Sequence, residues 1–501
     1  MSGIGGERRI FGIETEYGVM VDGDFDPVLE SVSIVRSYLY SSPKWDYSLE
    51  DPRMDMRGFR VLELLEPPDE KEKGYRSYEE IRSDIVLHNG ARFYNDHTHP
   101  EFSTPECSSL VDIVRYDKAG EKILLLCTRR REEERGGKVY IYKNNTDFHG
   151  HSYGCHENYL VRRDLPFDQL VQGLLPFFVT RQIFCGAGKV GSEIKEEGGN
   201  VRYQLSQRAE FFTKEMSVDT MHQRPIINTR DEPHADPAKY RRLHVIVGDS
   251  NMSEYATALK VGTTSLVLDM IEEGGWREWI VLEDPVRAIK EISRDEGMRW
   301  EVRLGDGRVS NAVDIQRMYW EECRRRYEGR DEETDWVLRE WGEVLGCLGE
   351  GRVWELVDRV DWVAKRWLIE RFMEEEGVEW GDPWLQSIDL EYHNIDPESG
   401  LYYCLEKMGY VRRVVRDEDI EKAISEPPSN TRAYFRGEFL RKFGSHVELI
   451  QWDRIIYKAD GDRVFIDLKG VVESKTALVY KDIIDSAWVV SDVEKKIRGL
   501  R

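Results

Sequence analysis

The chain lacks the features of a secreted, membrane-spanning or disulfide-stapled protein. No uninterrupted apolar run in its 501 residues approaches the length that crosses a bilayer. The first nine residues carry no apolar core of the kind a secretion signal needs. Its seven cysteines are scattered, odd in number and never spaced as CxxC, which argues against a disulfide framework and against a zinc site. These absences predict a cytoplasmic protein without a membrane partner.

The chain has fewer basic than acidic residues. Lys and Arg together number 72, against 95 Asp and Glu, so the formal net charge is −23. A surface of that sign repels the phosphate backbone, and we therefore expect no nucleic-acid partner. An acidic protein partner would need a groove that is locally basic. The chain is long enough for more than one domain, or for one large core with an appendage.

Two short segments carry charged residues at the spacing of a strand. Arg92, Tyr94 and Asp96 are two residues apart, so a strand would place them on one face. Glu14 and Glu16 share a strand face in the same way. Burying charged side chains on the inward face of a sheet costs free energy unless a ligand or a metal ion binds them there. Paired carboxylate oxygens are suitable ligands for Mg²⁺. From spacing alone, two exposed edge strands with charged outer faces are an equally good interpretation.

Elsewhere the apolar spacing predicts regular elements. Segments 139–145 and 153–162 alternate like two strands that pair around a turn at Gly150. Tryptophans at helical spacing between residues 311 and 376 predict long helices with the rings in the core. Further helices are predicted at 28–40, 111–131 and 253–273.

The segment 41–88, between the two charged strands, has no such regularity. Its prolines and mixed charges predict a mobile loop or a small insert. A disordered acidic linker is the alternative. Trp45, Tyr47 and Phe59 argue against it, because disordered stretches are poor in aromatic residues.

Long blocks of the sequence then identify a family. They include Gly-Ile-Glu-Thr-Glu-Tyr-Gly at 12–18 and Asn-Gly-Ala-Arg at 89–92, which continues into Asp-His-Thr-His-Pro-Glu at 96–101. Further blocks lie at 224–236, 240–249 and 430–437. Together they resemble the Pup ligase/depupylase family, a branch of the carboxylate-amine ligases related to glutamine synthetase. The resemblance covers nearly the whole chain.

The resemblance implies an α+β fold. We expect a glutamine-synthetase-like large domain, with a curved, mainly antiparallel sheet packed by helices, and a small C-terminal domain. The predicted catalytic domain spans residues 1–425 and the small domain residues 430–501, because Glu-Pro-Pro-Ser-Asn at 426–430 is the best linker in the second half. The segment 41–88 resembles an insertion that the depupylase branch has near the active site and the ligase branch lacks.

The resemblance also implies roles for individual residues. Asp96 is the expected catalytic residue, acting as a base in a ligase and as a base or nucleophile in a depupylase. By the resemblance, Glu14, Tyr94 and Glu101 are metal ligands, and Arg92, Thr104 and Trp452 contact the nucleotide. Glu16 is added to the expected metal ligands because its carboxylate shares a strand face with that of Glu14. His97, His99, His156 and His244 are candidates to support the metal ligands or to bind phosphate; a lone histidine is more often structural, and only His244 is added to the expected nucleotide contacts. A basic groove for an acidic partner is expected from Arg208, Arg230, Arg241 and Arg242, although a structural ion pair is an equally good interpretation of each.

The segment 41–88 favours the depupylase branch. The implied reaction is hydrolysis of the isopeptide bond between the C-terminal glutamate of Pup, the prokaryotic ubiquitin-like protein, and a substrate lysine. Deamidation of a C-terminal glutamine of Pup would accompany it. Amide hydrolysis needs no energy input, so ATP would be a bound cofactor, with ADP and phosphate in the working site beside Mg²⁺. The expected partners are Pup, or a Pup-like acidic protein, and its conjugates.

Three alternatives stay open at this stage. The first is a Pup–protein ligase, in which the γ-phosphate activates the Pup carboxylate. The second is a divergent relative that hydrolyses ATP or acts on another glutamyl amide. The third is a nucleotide-bound docking protein of a proteasome-like system.

Overall fold

The computed structural model describes residues 8–39, 42–62, 81–194, 201–220, 223–275, 280–459 and 461–500. Within these ranges the chain has an α+β fold with a mainly antiparallel sheet, as expected. In chain order, the strands β1 to β18 are Phe11–Glu16, Gly18–Val21, Lys44–Trp45, Ile85–Val86, Arg92–Asp96, His99–Ser103, Val139–Tyr142, Cys155–Arg162, Lys189–Val190, Tyr203–Gln204, Lys214–Ser217, Pro225–Asn228, Tyr240–Val245, Glu301–Arg303, Val309–Asn311, Val447–Gln451, Arg454–Ala459 and Asp462–Asp467.

The helices α1 to α15 are Pro27–Arg36, Leu110–Arg135, Phe167–Thr180, Gln182–Cys185, Glu254–Glu272, Pro285–Arg294, Ala312–Tyr327, Glu332–Gly349, Asp361–Glu376, Pro383–Tyr392, Leu401–Lys407, Asp417–Ala423, Arg432–Phe443, Ser474–Asp485 and Val490–Arg498. Short 3₁₀ helices lie at Tyr47–Leu49, Ala209–Phe211, Val353–Leu356 and Gly444–His446. None of the helices within the described ranges is both long and apolar enough to cross a membrane.

The main sheet has the strand order β13-β8-β1-β6-β5-β4 in the described part of the chain, and all neighbours are antiparallel. Its register lines up polar side chains across strands. Glu16 of β1 lies opposite Glu101 of β6, which lies opposite Tyr94 of β5. Glu14 lies between Ser103 of β6 and His156 of β8. One face of the sheet therefore collects the charged residues of both sequence segments.

Helices supply the largest core. The predicted helix at 253–273 is confirmed as α5, with Ser253 as its N-cap. The predicted helices at 28–40 and 111–131 appear as α1 and α2. Of the tryptophans in the 311–376 stretch, Trp341 and Trp362 are fully buried in this core, as predicted, while Trp354 is 45% exposed.

The predicted pairing of segments 139–145 and 153–162 is wrong. β7 pairs with β2, whereas β8 pairs with β1 and β13. The two segments meet only near the turn, where the Tyr153 amide donates to the Asn145 carbonyl and Thr146 bridges Ser152. Alternation identifies a strand, but it carries no information about which strand lies beside it.

The C-terminal elements build a second core. β16, β17 and β18 form a sheet with α13, α14 and α15 packed nearby, and Phe435 and Phe439 lie inside. Two buried residues from much earlier in the chain, Trp45 and Val86, belong to the same core. Trp45 arrives on β3, which pairs in parallel with β16. The predicted division at residues 426–430 stays a prediction.

A buried ion cluster attaches α13 to the main sheet. Glu106, just beyond β6, accepts hydrogen bonds from Arg432 at 2.7 Å and from Arg436 at 2.6 and 3.0 Å. Arg436 is fully buried and also donates to the carbonyl oxygens of Gly90 and Trp452. Gly90 has a φ of 82° and allows a close approach, because a Cβ there would lie 2.9 Å from the Cβ of Ala433.

We expect the Glu106→Ala variant to lose about 3–5 kcal/mol of unfolding free energy, because it leaves two buried guanidinium groups without their carboxylate. Urea unfolding followed by tryptophan fluorescence measures the loss. The matched control is Asp306→Ala, which breaks the exposed Asp306–Arg308 pair and should leave the midpoint unchanged. Equal losses in the two variants would contradict a stabilising role of the Glu106 cluster.

Candidate active site

The first cluster on the charged sheet face consists of carboxylates. One carboxylate oxygen each from Glu16, Asp96 and Glu101 lies within 4.8 Å of the others. The hydroxyl of Tyr94 donates to Glu101 at 2.5 Å. Burial and the neighbouring carboxylates raise the pKa of Glu101 well above its ordinary value. Three converging carboxylates and a phenol are the hard oxygen donors that fit Mg²⁺.

Asp96 lies at the end of β5, where a two-residue turn leads into β6. His97 in this turn has a φ of 53°, and its carbonyl accepts a hydrogen bond from the Asn95 side chain at 3.0 Å. The carboxylate of Asp96 pairs with Arg82. Burial alone would raise the pKa of Asp96, but the positive charge of Arg82 and its neighbours lowers it below the ordinary value. Asp96 thus contributes an ionised carboxylate to the cluster.

A second cluster lies on the same face, toward β8 and β13. Glu14, His156 and His244 each offer a ligand atom within 4.8 Å of the others. Burial, followed by the charge of Arg242, lowers the pKa of His244 well below its ordinary value. Both histidine rings lie close together, with centroids 4.9 Å apart. A neutral imidazole is a good metal ligand, so this cluster can also hold a cation.

Asn158 orients the second cluster. Its side-chain amide donates to Glu14 at 2.9 Å, and its carbonyl oxygen lies 2.9 Å from Nδ1 of His244. With Nδ1 protonated, the other ring nitrogen of His244 is left bare for a ligand. Burial alone would raise the pKa of Glu14, but the hydrogen bond with His156 and the neighbouring positive charges hold it below its ordinary value.

The four predicted metal ligands therefore divide between two places. Tyr94, Glu101 and Glu16 lie together, whereas Glu14 lies with two histidines. His244, an expected nucleotide contact, lies beside Glu14, and its contact with nucleotide stays a prediction. His156 was given less weight than His244, although it lies two residues before Asn158 on β8 and the alternation of that strand points both to the charged face.

A cleft of about 700 Å³ opens beside the second cluster. The main sheet lines it through β1 and Thr104, and the C-terminal elements line it through Trp452 and Val471. The hydroxyl of Thr104 accepts from the amide of Ile13 at 3.1 Å. The lining of the cleft by apolar side chains and a few polar groups is typical of a small-molecule site and suits a nucleotide.

Two of the predicted nucleotide contacts, Thr104 and Trp452, line this cleft. Trp452 packs edge-on against Trp45, with ring centroids 5.4 Å apart. Arg92 is not among the lining residues. It pairs with Asp84 at 2.5 Å, and its guanidinium lies 4.0 Å from the ring centroids of both Trp45 and Tyr94.

Of the four arginines predicted to form a basic groove, Arg230 and Arg242 lie together beside Glu232, and Arg208 and Arg241 lie apart from them. Arg242 faces the site, 3.5 Å from Glu14. Its neighbour Arg241 lies on the opposite face of β13 and donates to the carbonyl of Leu165. Arg230 lies beside Glu232 at 3.9 Å. Arg208 lies apart from these, buried near Ser152.

Arg208, which is buried, lies with Arg224, which is partly buried. It donates to the carbonyl of Ile246, and Arg224 donates to the carbonyl of Ser152. Neither forms an ion pair with a carboxylate among the described residues. Burial, followed by the charge of Arg208, lowers the pKa of Arg224 to about 10. Burial lowers the pKa of Arg208, and the negative charge of Glu16 partly offsets this effect. Guanidinium groups without a carboxylate partner can receive an anion.

Sequence reasoning missed four residues of this site: Arg82, Asp84, Asn158 and Arg224. Asn158 could have been found, because it lies on the same strand face as His156. Arg82 and Asp84 lie in an irregular stretch where no periodicity assigns a direction to a side chain. Arg224 begins a recognised block, but the absence of a carboxylate partner is visible only in three dimensions.

Comparison with known proteins places the chain among relatives along nearly its whole length. The family model described as Pup-ligase protein matches residues 9–456. A protein named depupylase, from Acidothermus cellulolyticus, is 44% identical over 469 residues, which cover 91% of this chain and 92% of that protein. A Pup–protein ligase from a Nocardioides species is also 44% identical, over 446 residues that cover 87% of this chain and 90% of that protein.

Solved structures agree. A complex between Pup and its ligase PafA matches with a TM-score of 0.79 at 35% identity, covering 98% of this chain and 92% of that one. The Pup ligase PafA in complex with ADP matches with a TM-score of 0.73 at 35% identity, covering 88% of this chain and 95% of that one. The chain belongs to the Pup-ligase protein family.

Proposed function

We propose that this protein is a depupylase and Pup deamidase. It hydrolyses the isopeptide bond between the C-terminal glutamate of Pup and a substrate lysine, and it converts a C-terminal glutamine of Pup to glutamate. The observation that carries the proposal is the match to a depupylase at 44% identity over 91% of the chain. The family model matches residues 9–456, and these include the sheet face that carries Asp96 and the two clusters of potential cation ligands.

The cleft beside β1 is the proposed nucleotide site. Its lining by Thr104 and Trp452 supports this assignment, as does the ADP bound to a PafA ligase of the same fold. The indole of Trp452 would pack on the base, since aromatic faces favour such contacts. Glu14 and Arg242 also line the cleft and lead from it to the second cluster. ATP would act as a bound cofactor, because amide hydrolysis itself needs no energy input.

The two clusters are the proposed Mg²⁺ sites. Glu16, Glu101 and Tyr94 would hold one ion, and Glu14, His156 and His244 the other. When bound, Mg²⁺ neutralises phosphate charge and polarises phosphoryl oxygens. The protein contributes the alignment: Asn158 orients Glu14 and His244, and the strand register holds Glu16 opposite Glu101.

Asp96 is the proposed catalytic residue. Its carboxylate would take a proton from the attacking group, or attack the carbonyl carbon itself, and the resemblance allows both roles. Arg82 holds the carboxylate in place through their ion pair. Arg208 and the partly buried Arg224 would receive an anionic group of the substrate or of the nucleotide, since they have no carboxylate partner within the described residues.

The choice of hydrolase over ligase rests on the segment before the catalytic strand. The described parts of segment 41–88 are residues 42–62 and 81–88, and both are built into the fold. The amide of Met56 donates to the carbonyl of Thr229, the amide of Asp231 donates to the carbonyl of Met54, and Ile85–Val86 form β4 of the main sheet. Residues 63–80 of the predicted insertion lie outside the described residues. The alignment with the depupylase is also longer than that with the ligase, 469 against 446 residues. The equal identities keep a Pup–protein ligase as the second candidate.

A cytoplasmic location is part of the proposal. All seven cysteines are free thiols, and six of them are buried. Unpaired thiols of this number are typical of proteins from a reducing compartment.

The direction of the reaction is the decisive test. Purified protein with ATP and Mg²⁺ is incubated in parallel with a Pup–protein conjugate, with Pup ending in glutamine, and with Pup ending in glutamate plus an acceptor protein. We expect loss of conjugate on gels and conversion of the terminal amide to an acid by mass spectrometry. Gain of conjugate in the third reaction would contradict the proposal in favour of a ligase. Release of phosphate without any change in Pup would favour an ATP-hydrolysing relative. If none of the reactions proceeds, a docking protein would be favoured.

We expect the Asp96→Asn variant to cleave conjugate about 10²–10⁴-fold more slowly, because the amide can neither accept a proton nor attack a carbonyl. ADP binding should stay unchanged, since Asp96 is not among the residues that line the cleft. Asp306→Asn is the matched surface control. A slow rate that extra Mg²⁺ restores would instead assign Asp96 to cation binding alone.

A further inference from the structure

The loop between β12 and β13 forms one wall of the nucleotide cleft. Pro233, His234 and Ala235 line it, together with Trp452 from the C-terminal elements. None of these three loop residues was among the nucleotide contacts expected from the sequence.

His234 is held in an unfavourable backbone conformation. Its φ is 47°, in the left-handed region that residues other than glycine rarely adopt. The side chain of Arg432 donates to the His234 carbonyl at 2.6 Å, and Arg432 is itself paired with Glu106 at 2.7 Å. The buried ion cluster that attaches α13 thus also fixes this residue. Strain that the surroundings maintain is found mainly where a side chain has to be placed for a ligand.

The imidazole of His234 has no hydrogen-bond partner among the described residues. His234 is also one of the residues that line the cleft. Burial, followed by the charges of Arg242 and Arg432, lowers the pKa of His234 well below its ordinary value. The ring is therefore uncharged at neutral pH and offers one donor and one acceptor. Such a group complements a hydroxyl or the edge of a base better than it complements a phosphate.

We infer that His234 binds the nucleoside half of the nucleotide through a hydrogen bond from its ring to a ribose hydroxyl or to the edge of the base. The inference rests on the proposed nucleotide site and extends it by a specificity-determining residue. His234 thereby links nucleotide recognition to the Glu106 cluster, because Arg432 contacts both.

The test compares ADP binding by calorimetry in the full chain and in three variants. His234→Gly removes the ring and also relieves the strain, since glycine adopts a positive φ freely. We expect its Kd for ADP to rise about tenfold, as for the loss of one hydrogen bond, while its Tm does not fall. His234→Asn keeps a donor, an acceptor and tolerance of the left-handed region, and should recover part of the affinity. His446→Ala, at an exposed histidine, is the control and should bind like the wild type.

Nucleotide analogues identify the contacted group. If His234 binds the ribose, the wild type will prefer ADP over 2′-deoxy- or 3′-deoxy-ADP, and His234→Gly will lose that preference. If His234 binds the base, the wild type will prefer ADP over inosine diphosphate, and His234→Gly will lose that preference instead. A His234→Gly variant that binds ADP like the wild type, or that loses affinity while keeping every preference, overturns the inference. A wild-type protein that binds no ADP overturns the proposed nucleotide site as well, so the two failures are distinguishable.

Discussion

The register between β1 and β6 is the constraint on which the site depends. It sets Glu16 opposite Glu101 and Glu14 opposite Ser103, and the next register sets Tyr94 opposite Glu101. Because side chains alternate between the faces of a strand, a shift of one residue would send these groups to the helical core on the other face. The apolar residues between them, such as Ile13, Phe93 and Phe102, are buried there and therefore hold the register. Burying the hydrophobic side thus forces the carboxylates together on the polar side.

The concentrated charge is balanced in two different ways. Around Glu106, two arginines complete the ion cluster, and the result is a structural joint between the main sheet and α13. Around Glu101, three acidic groups converge, and burial together with the neighbouring carboxylates raises the pKa of Glu101. Arg208 and Arg224 show the opposite imbalance, because neither has a carboxylate partner among the described residues. Charge that the described part of the protein leaves unbalanced favours the binding of a ligand there.

Local periodicity predicted the strand faces correctly, because a period of two is a property of the segment itself. The same periodicity argued against placing Arg241 and Arg242 in one basic groove, because adjacent residues of a strand point to opposite faces. The division of the acidic residues into two clusters could not be predicted in this way. It depends on His156 and His244, which arrive on strands far away in the chain. The partner of Arg92 is Asp84, in a stretch without regular spacing, and the role of β3 in the C-terminal sheet depends on a long-range pairing.

The central claim is that this sheet face is completed by bound cations. The most direct measurement is a crystal structure of the protein with ADP and Mn²⁺, in which anomalous scattering locates the ions. We expect one peak among Glu16, Glu101 and Tyr94, and a second among Glu14, His156 and His244. Ions bound elsewhere, or carboxylates of Glu16 and Glu101 turned apart toward solvent with no peak between them, would contradict the claim.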